Sequence, residues 1–366
     1  MLYREYGSTG VQVSALGFGG MRFDDQGNRE ECAALVKAAH DAGVNYFDTA
    51  PGYGDSEELF GLAFQEMLKN RREHPFYVST KSMALNSGNV RRDMENSLER
   101  MGLDYIDFYH VWYIHHMDEF ERRRAMGVLE EFEKLKSEGL ARHIVVSTHL
   151  PGEQVGNLLR AYPFEGVLLG YSAMNFAYRE AGLEVASERG LGVAVMNPLA
   201  GGIIPQHPEL FSFLRSREDE TVVEAALRFL FNNERIDVVL VGLGNQKELR
   251  EAVSAVDGYR PLNKGRVDEM RKNLNVGLNK LCTNCGYCDN CPEGIPIPQF
   301  MDSWNYFHLT GKVSQLQTRI ALHWHIEEPA ELLGRCSECG RCEDACTQDL
   351  PIIARLKEMR ELLRVD

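Results

Sequence analysis

Eight of the nine cysteines fall in the last quarter of this 366-residue chain, as Cys282, Cys285, Cys288 and Cys291 and then Cys336, Cys339, Cys342 and Cys346. Three Cys-x-x-Cys steps in succession place four thiolates on one compact loop, the spacing that wraps an iron–sulfur cube. Zinc is the rival, because any two Cys-x-x-Cys pairs also offer four thiolates to a tetrahedral ion. Zinc sites usually separate their pairs by about a dozen residues or more, whereas these ligands follow one another at constant short spacing, which favours clusters. Disulfides are expected least, since the chain opens MLYREYGSTG without an apolar signal segment and a cytoplasmic location is expected.

A second constellation lies in the first quarter: Asp48, Tyr53 and Lys81. Singly each has a plain explanation, as a helix cap, a packed ring and a solvated cation. Together they form a workable proton donor. A hydride arriving at a carbonyl carbon leaves negative charge on oxygen, and that oxygen needs a proton from a positioned acid. A phenol with an ordinary pKa of about 10 is too weak unless a neighbouring cation stabilises its anion, and Lys81 paired with Asp48 supplies one.

The elements that must hold these residues repeat. Short β-branched and aromatic runs alternate with amphipathic helical patterns up to about residue 256, the signature of βα units around a parallel sheet. Eight strands are predicted at Leu16–Gly20, Val44–Asp48, Phe76–Thr80, Tyr105–Val111, His143–Ser147, Val167–Tyr171, Val193–Met196 and Val238–Val241. Val90, Met94, Leu98 and Met101 share one helical face, as do Val128, Leu129, Phe132 and Leu135. Gly43, Gly102 and Gly139 stand where helices should stop. Eight such units in about 250 residues match a closed (β/α)8 TIM barrel, of α/β class, better than an open sheet. No Gly-x-Gly-x-x-Gly follows the first strand, which weighs against a Rossmann domain. Leu2–Gly7 and Val11–Val13 around Ser8-Thr9-Gly10 read as a hairpin that caps the lower mouth. In a barrel, chemistry belongs at the carboxyl ends of the strands, where Asp48, Tyr53 and Lys81 fall.

At 44% hydrophobic and 26% charged, the chain has apolar mass for one large core and one small appendage. The expected division is residues 1–262 for the barrel and 263–366 for a linker helix and the cysteine-bearing domain. A net charge of −14 disfavours nucleic acid, and no apolar run is long enough to span a bilayer. The acidic surface reads as a solubility device before a docking site for a basic redox protein.

FDTAPGYGDSE, followed by VSTK, resembles the aldo-keto reductase family, and the likeness runs through the whole barrel, including LGFGGMRF in the first strand. The resemblance implies that Asp48, Tyr53 and Lys81 are three members of a catalytic tetrad acting on a small carbonyl or alcohol substrate with NAD(H) or NADP(H). It implies cofactor contacts at Gly20, Met21, Ser147, Thr148, Met196, Asn197, Pro198, Leu199, Gly201, Gly242, Gly244, Asn245 and Glu248, with the glycine-rich LAGG and LVGLGN stretches folding over the nicotinamide cofactor. Several positions depart from the family pattern. Trp112 stands where a histidine would complete the tetrad. His110 lies two residues earlier, about 7 Å deeper along the same face, and reads first as a satisfied core histidine. His115 and His116 follow in the next loop, within reach of the mouth. Ser147-Thr148 replaces Ser-Asn, Leu168 a glutamine and Met196 a tyrosine. Gly242, Leu243 and Glu248 replace the lysine, serine and arginine that surround a 2′-phosphate, which leans the reading towards NADH, although Lys247 and Arg250 lie nearby.

The cysteine runs resemble the bacterial two-cluster ferredoxin, a small, mainly helical domain here. By that resemblance Cys282, Cys285, Cys288 and Cys346 hold one [4Fe-4S] cluster, and Cys336, Cys339, Cys342 and Cys291 the other. Two residues rather than three precede Cys291, and Thr347 replaces the proline expected after Cys346. Val267, Met270, Leu274 and Leu278 read as a connecting helix, with a turn at Ile295–Pro298 and helices at Gln299–Leu309 and Ile352–Leu363. Met301, Trp304, Phe307 and Trp324 read as core packed against the barrel, His308, His323 and His325 as surface or interface side chains, and Cys32 as a buried inert thiol.

Nicotinamide moves two electrons at once, whereas a cluster accepts one. A flavin, bound here or on a partner, would convert between the two, although no flavin motif is visible in the sequence; a ferredoxin or flavoprotein is the expected redox partner. Three readings stand: a nicotinamide-dependent oxidoreductase with cluster electron transfer, a reductase whose clusters are structural or sense oxygen, and a non-catalytic iron–sulfur carrier or redox sensor on a barrel scaffold.

Overall fold

A computed structural model describes residues 1–150, 152–174, 176–274, 280–283 and 285–364. Two compact units emerge, Met1–Leu199 with Ile204–Asn275, and Ala200–Ile203 with Val276–Asp366.

The first unit opens with an antiparallel hairpin, β1 (Tyr3–Glu5) and β2 (Gln12–Ser14). Eight parallel strands follow: β3 (Leu16–Gly19), β4 (Tyr46–Asp48), β5 (Tyr77–Ser82), β6 (Ile106–Ile114), β7 (Ala141–Thr148), β8 (Gly166–Gly170), β9 (Gly192–Met196) and β10 (Val238–Gly242). β10 pairs with both β9 and β3, which closes the barrel. Every predicted strand is present, and β6 runs beyond Val111 to Ile114, past an irregularity in its pairing with β7.

The helices between strands begin and end on local chemistry. Asn86 accepts from the Asn89 amide at 3.0 Å, and Thr221 with Glu224 forms a reciprocal capping box. Gly102 ends its helix in the left-handed region at φ 63°. On that helix Val90, Met94 and Met101 are buried, but Leu98 is only half-buried and Ser97 takes the inner place. The Ser97 hydroxyl donates to the buried Glu57 carboxylate at 2.7 Å, a polar contact that hydrophobic periodicity does not register.

The barrel interior is filled by Tyr46, Phe108, Val145, Leu168, Ala194 and Val238, among others. Tyr6, from the hairpin, belongs to the same cluster and is 0% exposed, 4.5 Å from Phe108 between ring centroids. A Cβ at Gly192 would stand 2.1 Å from its ring and one at Gly166 2.5 Å from its hydroxyl, so both strands carry glycine where the ring enters. Arg4 fastens the hairpin by donating to the carbonyls of Phe231 at 2.5 Å and of Ile236. The hairpin caps the floor, as expected. After β10, a helix Lys264–Leu274 buries Met270 in full and Val267 in part, while the Leu274 side chain and Leu278 lie outside the described residues.

The second unit is helical, with Ile297–Thr310, Val313–Thr318 and Ile352–Leu362 as its longer pieces. Its core gathers Ile295, Phe300, Met301, Trp304, Ile352 and Met359, and Phe307 packs on it. Trp324 is half-buried and donates to the Asp302 carboxylate at 3.0 Å. His308 stacks on Trp304 at 4.5 Å, and the His323 side chain lies outside the described residues. Among the described residues no helix is long and apolar enough to cross a membrane.

Candidate active site and cysteine cavity

Asp48 ends β4 and Lys81 sits near the end of β5, so adjacent strands bring them to the same rim. Lys81 Nζ donates to Asp48 Oδ1 and to the Thr49 carbonyl, each at 2.6 Å, and is fully buried. Burial pushes the ammonium pKa down and Asp48 pushes it back up. The Nζ also lies 4.9 Å from the centroid of the Tyr53 ring, which places a cation against the face of the phenol. Burial, followed by Asp48, pushes the Tyr53 hydroxyl well above its usual range, with Arg22 pulling it down. Such a phenol keeps its proton at neutral pH and can give it only to a strong base.

The loop carrying Tyr53 is held by Gln26, which donates to the Tyr53 carbonyl at 3.0 Å and accepts from the Asp55 amide at 2.9 Å. Trp112, on β6, meets the Tyr53 ring edge-on at 5.7 Å and 88°. A Cβ on Gly52 would lie 2.8 Å from the indole, so the tryptophan at 112 requires glycine at 52.

Below this layer runs a buried polar chain. Ser79 donates its hydroxyl to Asp48 Oδ2 at 2.7 Å and lies 2.8 Å from His110 Nε2. A serine has one proton, and the carboxylate can only accept it, so His110 Nε2–H donates to Ser79. Burial, then the charge of Lys81, holds the His110 pKa well below the usual value, and the ring is neutral. His110 therefore supports Asp48 from beneath. His115 pairs with Glu119 at 3.0 Å, and that carboxylate raises its pKa. His116 stands at the N-cap of the helix Met117–Ala125.

The residues expected to hold a cofactor differ in readiness. Ser147, at the end of β7, is 1% exposed and its hydroxyl has no hydrogen-bond partner, an orphaned polar atom suited to an amide. Thr148 is already committed, donating to the Ile114 carbonyl at 2.7 Å and accepting from the Leu150 amide at 3.1 Å. Gly20 is buried, and a Cβ there would stand 2.3 Å from the Ser56 hydroxyl, so helix packing alone demands glycine; Met21 beside it is exposed. Asn197 takes φ 61° and Gly201 φ 68°, marking sharp turns around Pro198 and Leu199, and Met196 is half-buried at the strand end. After β10, Asn245 caps the helix Gln246–Asp257 and donates to Asp24 at 2.8 Å, while Glu248 accepts from the Gly244 amide at 2.8 Å. Gly244 is pressed against Asp24, and Gly242 against Arg22. Two carboxylates thus stand at this end.

In the second unit, Cys282, Cys285, Cys288 and Cys346 line one small cavity together with Met301 and Leu350. The Leu350 amide donates to Cys346 Sγ at 3.4 Å, and Cys285 Sγ lies 3.4 Å from the Thr347 hydroxyl. Burial pushes the Cys288 thiol up to about 12, with Cys285 and Cys346 adding to the shift. Four thiols brought this close resist ionising together unless a metal charge offsets them, which is the chemistry of an iron–sulfur ligand set. Burial, then Glu343, lifts Cys342 to about 11, and Cys336 contributes. Cys339 is exposed and Cys291 packs on the unit's core. Among the described residues no three His, Cys, Asp or Glu side chains are placed to hold a single ion. Cys32 is buried in the first unit, its thiol donating to the Asp25 carbonyl at 3.2 Å.

The aldo/keto reductase family profile matches residues 15–275. The chain belongs to the aldo/keto reductase family. It is thus an NAD(P)-dependent oxidoreductase. It is 29% identical over 286 residues to an L-galactose dehydrogenase of Arabidopsis thaliana, covering 69% of this chain and 87% of that protein. It is 25% identical over 310 residues to an L-glyceraldehyde 3-phosphate reductase of Escherichia coli K12, covering 70% and 88%. An aldo-keto reductase from Bacillus halodurans, in its holo form, shares the barrel with a TM-score of 0.64 at 23% identity, covering 75% of this chain and 96% of that one. A 4Fe-4S dicluster domain profile matches residues 281–350. This family member therefore carries an iron–sulfur domain after its barrel. Ser79, Gln26 and Gly52 escaped the sequence reading, because their partners lie far along the chain or in a loop whose course only the fold fixes.

Proposed function

We propose that the barrel interconverts a small carbonyl compound and its alcohol with NADH, Tyr53 giving or taking the proton, while the second unit holds two [4Fe-4S] clusters that exchange electrons with a ferredoxin or flavoprotein. The observation that carries the catalytic half is the Lys81 ammonium, tied to Asp48 at 2.6 Å and set 4.9 Å from the Tyr53 ring. Bound NADH supplies the hydride. Tyr53 holds its proton until negative charge grows on the substrate oxygen, and Lys81 then stabilises the phenolate that remains. Ser79 and His110 keep Asp48 fixed, which in turn fixes Lys81. The relatives named for L-galactose and L-glyceraldehyde 3-phosphate support a small-molecule substrate of the carbonyl or alcohol type.

Ser147 is suited to the nicotinamide amide by its unspent hydroxyl, and Asp24 with Glu248 would repel a 2′-phosphate. Both favour NADH. For the clusters, the first ligand set is Cys282, Cys285, Cys288 and Cys346, on the strength of their shared cavity, and the second is Cys291, Cys336, Cys339 and Cys342.

Replacing Tyr53 by Phe tests the catalytic half. NADH-dependent turnover of a panel of small aldehydes should fall about 10²–10⁴-fold, the usual worth of a positioned acid, with NADH binding retained in fluorescence titration. Unchanged turnover would remove Tyr53 from the mechanism.

A further inference from the structure

Arg355 lies on the helix Ile352–Leu362 and is 4% exposed, a rare place for a guanidinium. Its Nη2 donates to the Lys280 carbonyl at 2.6 Å, two residues before Cys282. Its Cζ lies 3.9 Å from the Trp304 ring centroid. The same helix contributes Ile352 to the lining of the four-cysteine cavity. Nη1 is buried with no hydrogen-bond partner. The side chain is therefore clamped on two sides and left with an unspent donor, on the helix that also lines the cavity. Burying a cation is unfavourable unless a negative charge meets it. Cys282 and Cys346 are its foremost electrostatic partners, with Glu358 on its own helix after them. A group ligated by four thiolates would bring further negative charge to this guanidinium.

We propose that Arg355 is a tuning residue for the iron–sulfur cluster on Cys282, Cys285, Cys288 and Cys346, raising its reduction potential through a fixed positive charge and the free Nη1 donor. The inference rests on the reading that this cavity holds a cluster. Reduction adds one electron to a buried, already negative group, and a clamped cation offsets that added charge in a medium that screens poorly. A merely structural clamp would behave differently. Its loss would lower iron retention or melting temperature and leave the midpoint potential of the remaining cluster where it was.

The test is an anaerobic dithionite titration of the full-length, iron-loaded protein, followed by electron paramagnetic resonance, each cluster taking one electron from the titrant. The signal in question is the one that disappears in Cys285→Ala protein. Arg355→Gln should make this cluster at least tenfold harder to reduce, a downward shift of 59 mV or more for a one-electron couple, with the other signal unmoved. Arg355→Lys, which keeps the charge, should hold the potential to within threefold of wild type. Should Arg355→Gln fail to assemble the cluster, Arg355→Lys decides alone: a potential kept supports the proposal and a tenfold loss overturns it. An unmoved midpoint in Arg355→Gln, or equal shifts in both signals, also overturns it while leaving the clusters in place. Wild-type protein without inorganic sulfide and without either signal would instead remove the cluster reading beneath it.

Discussion

The rim of the barrel and the cysteine cavity solve opposite electrostatic problems. At the rim, opposite charges are already joined: Lys81 is held by Asp48 and by the Thr49 carbonyl, and Asp48 by Ser79. In the cavity, like groups face one another, and burial together with neighbouring thiols lifts Cys288 to about 12. Folding alone can complete the first arrangement, whereas the second is complete only when a positive partner arrives. Preorganised dipoles and ion pairs suit a site that must act on a passing substrate without rearranging. Mutually repelling ligands suit a site whose occupant stays and contributes to the folding free energy.

The sharpest way to break this contrast is Cys285→Ala. The variant should lose about half its iron and sulfide, one cube of two, while aldehyde turnover by the barrel stays within about twofold, because the rim draws nothing from the metal. Iron and sulfide assays beside NADH oxidation check this, and turnover lost in step with iron would abolish the distinction.

A smaller effect is expected inside the barrel. Ser79→Ala strands the His110 Nε2–H and one oxygen of Asp48, each fully or almost fully buried. Leaving such groups unsatisfied costs about 1–3 kcal/mol of stability, visible in urea denaturation. Turnover should fall about tenfold as Asp48 loosens its hold on Lys81, the amount that 1.4 kcal/mol of lost transition-state stabilisation removes. A variant as stable and as active as the parent would show that the chain beneath Asp48 is idle.

A third test concerns pH. His149 is 8% exposed, and burial, then the charge of Arg179, lowers its pKa to about 3. Its folded value lies below the unfolded one, so between about pH 3 and 6.5 the unfolded chain binds the extra proton and stability rises with pH, by up to about 1.4 kcal/mol per unit. Stability should accordingly fall as acid is added below pH ~6.5. His110 has a lowered pKa as well and acts in the same direction. His149→Gln should flatten part of that acid slope in melting curves taken across the range, and an unchanged slope would exclude His149 as a contributor.

Much of the architecture was legible because it is written in local periodicity. All eight barrel strands carry β-branched or aromatic runs, and Gly102 marks a helix end that demands the left-handed region. Asp48, Tyr53 and Lys81 were legible as a chemical set, since all three fall at or just beyond the carboxyl ends of predicted neighbouring strands. What the sequence concealed depends on contact between distant positions. Ser79 looks like any strand serine until His110 and Asp48 are brought to either side of it. Thr148 looks available until the Ile114 carbonyl takes its proton. Leu98 fits the helical face, yet Ser97 displaces it because Glu57, forty residues earlier, needs a donor. The meeting of Cys346 with the first cysteine run rests on the fold of the whole second unit, and only the likeness to a two-cluster ferredoxin anticipated it.

The Tyr6 ring seated against Gly166 and Gly192 plugs the floor of a barrel whose interior is already filled by side chains. Substitutions beneath it therefore bear on how firmly the strands are held together, and the opposite face is left as the surface on which loops can vary without loosening that foundation.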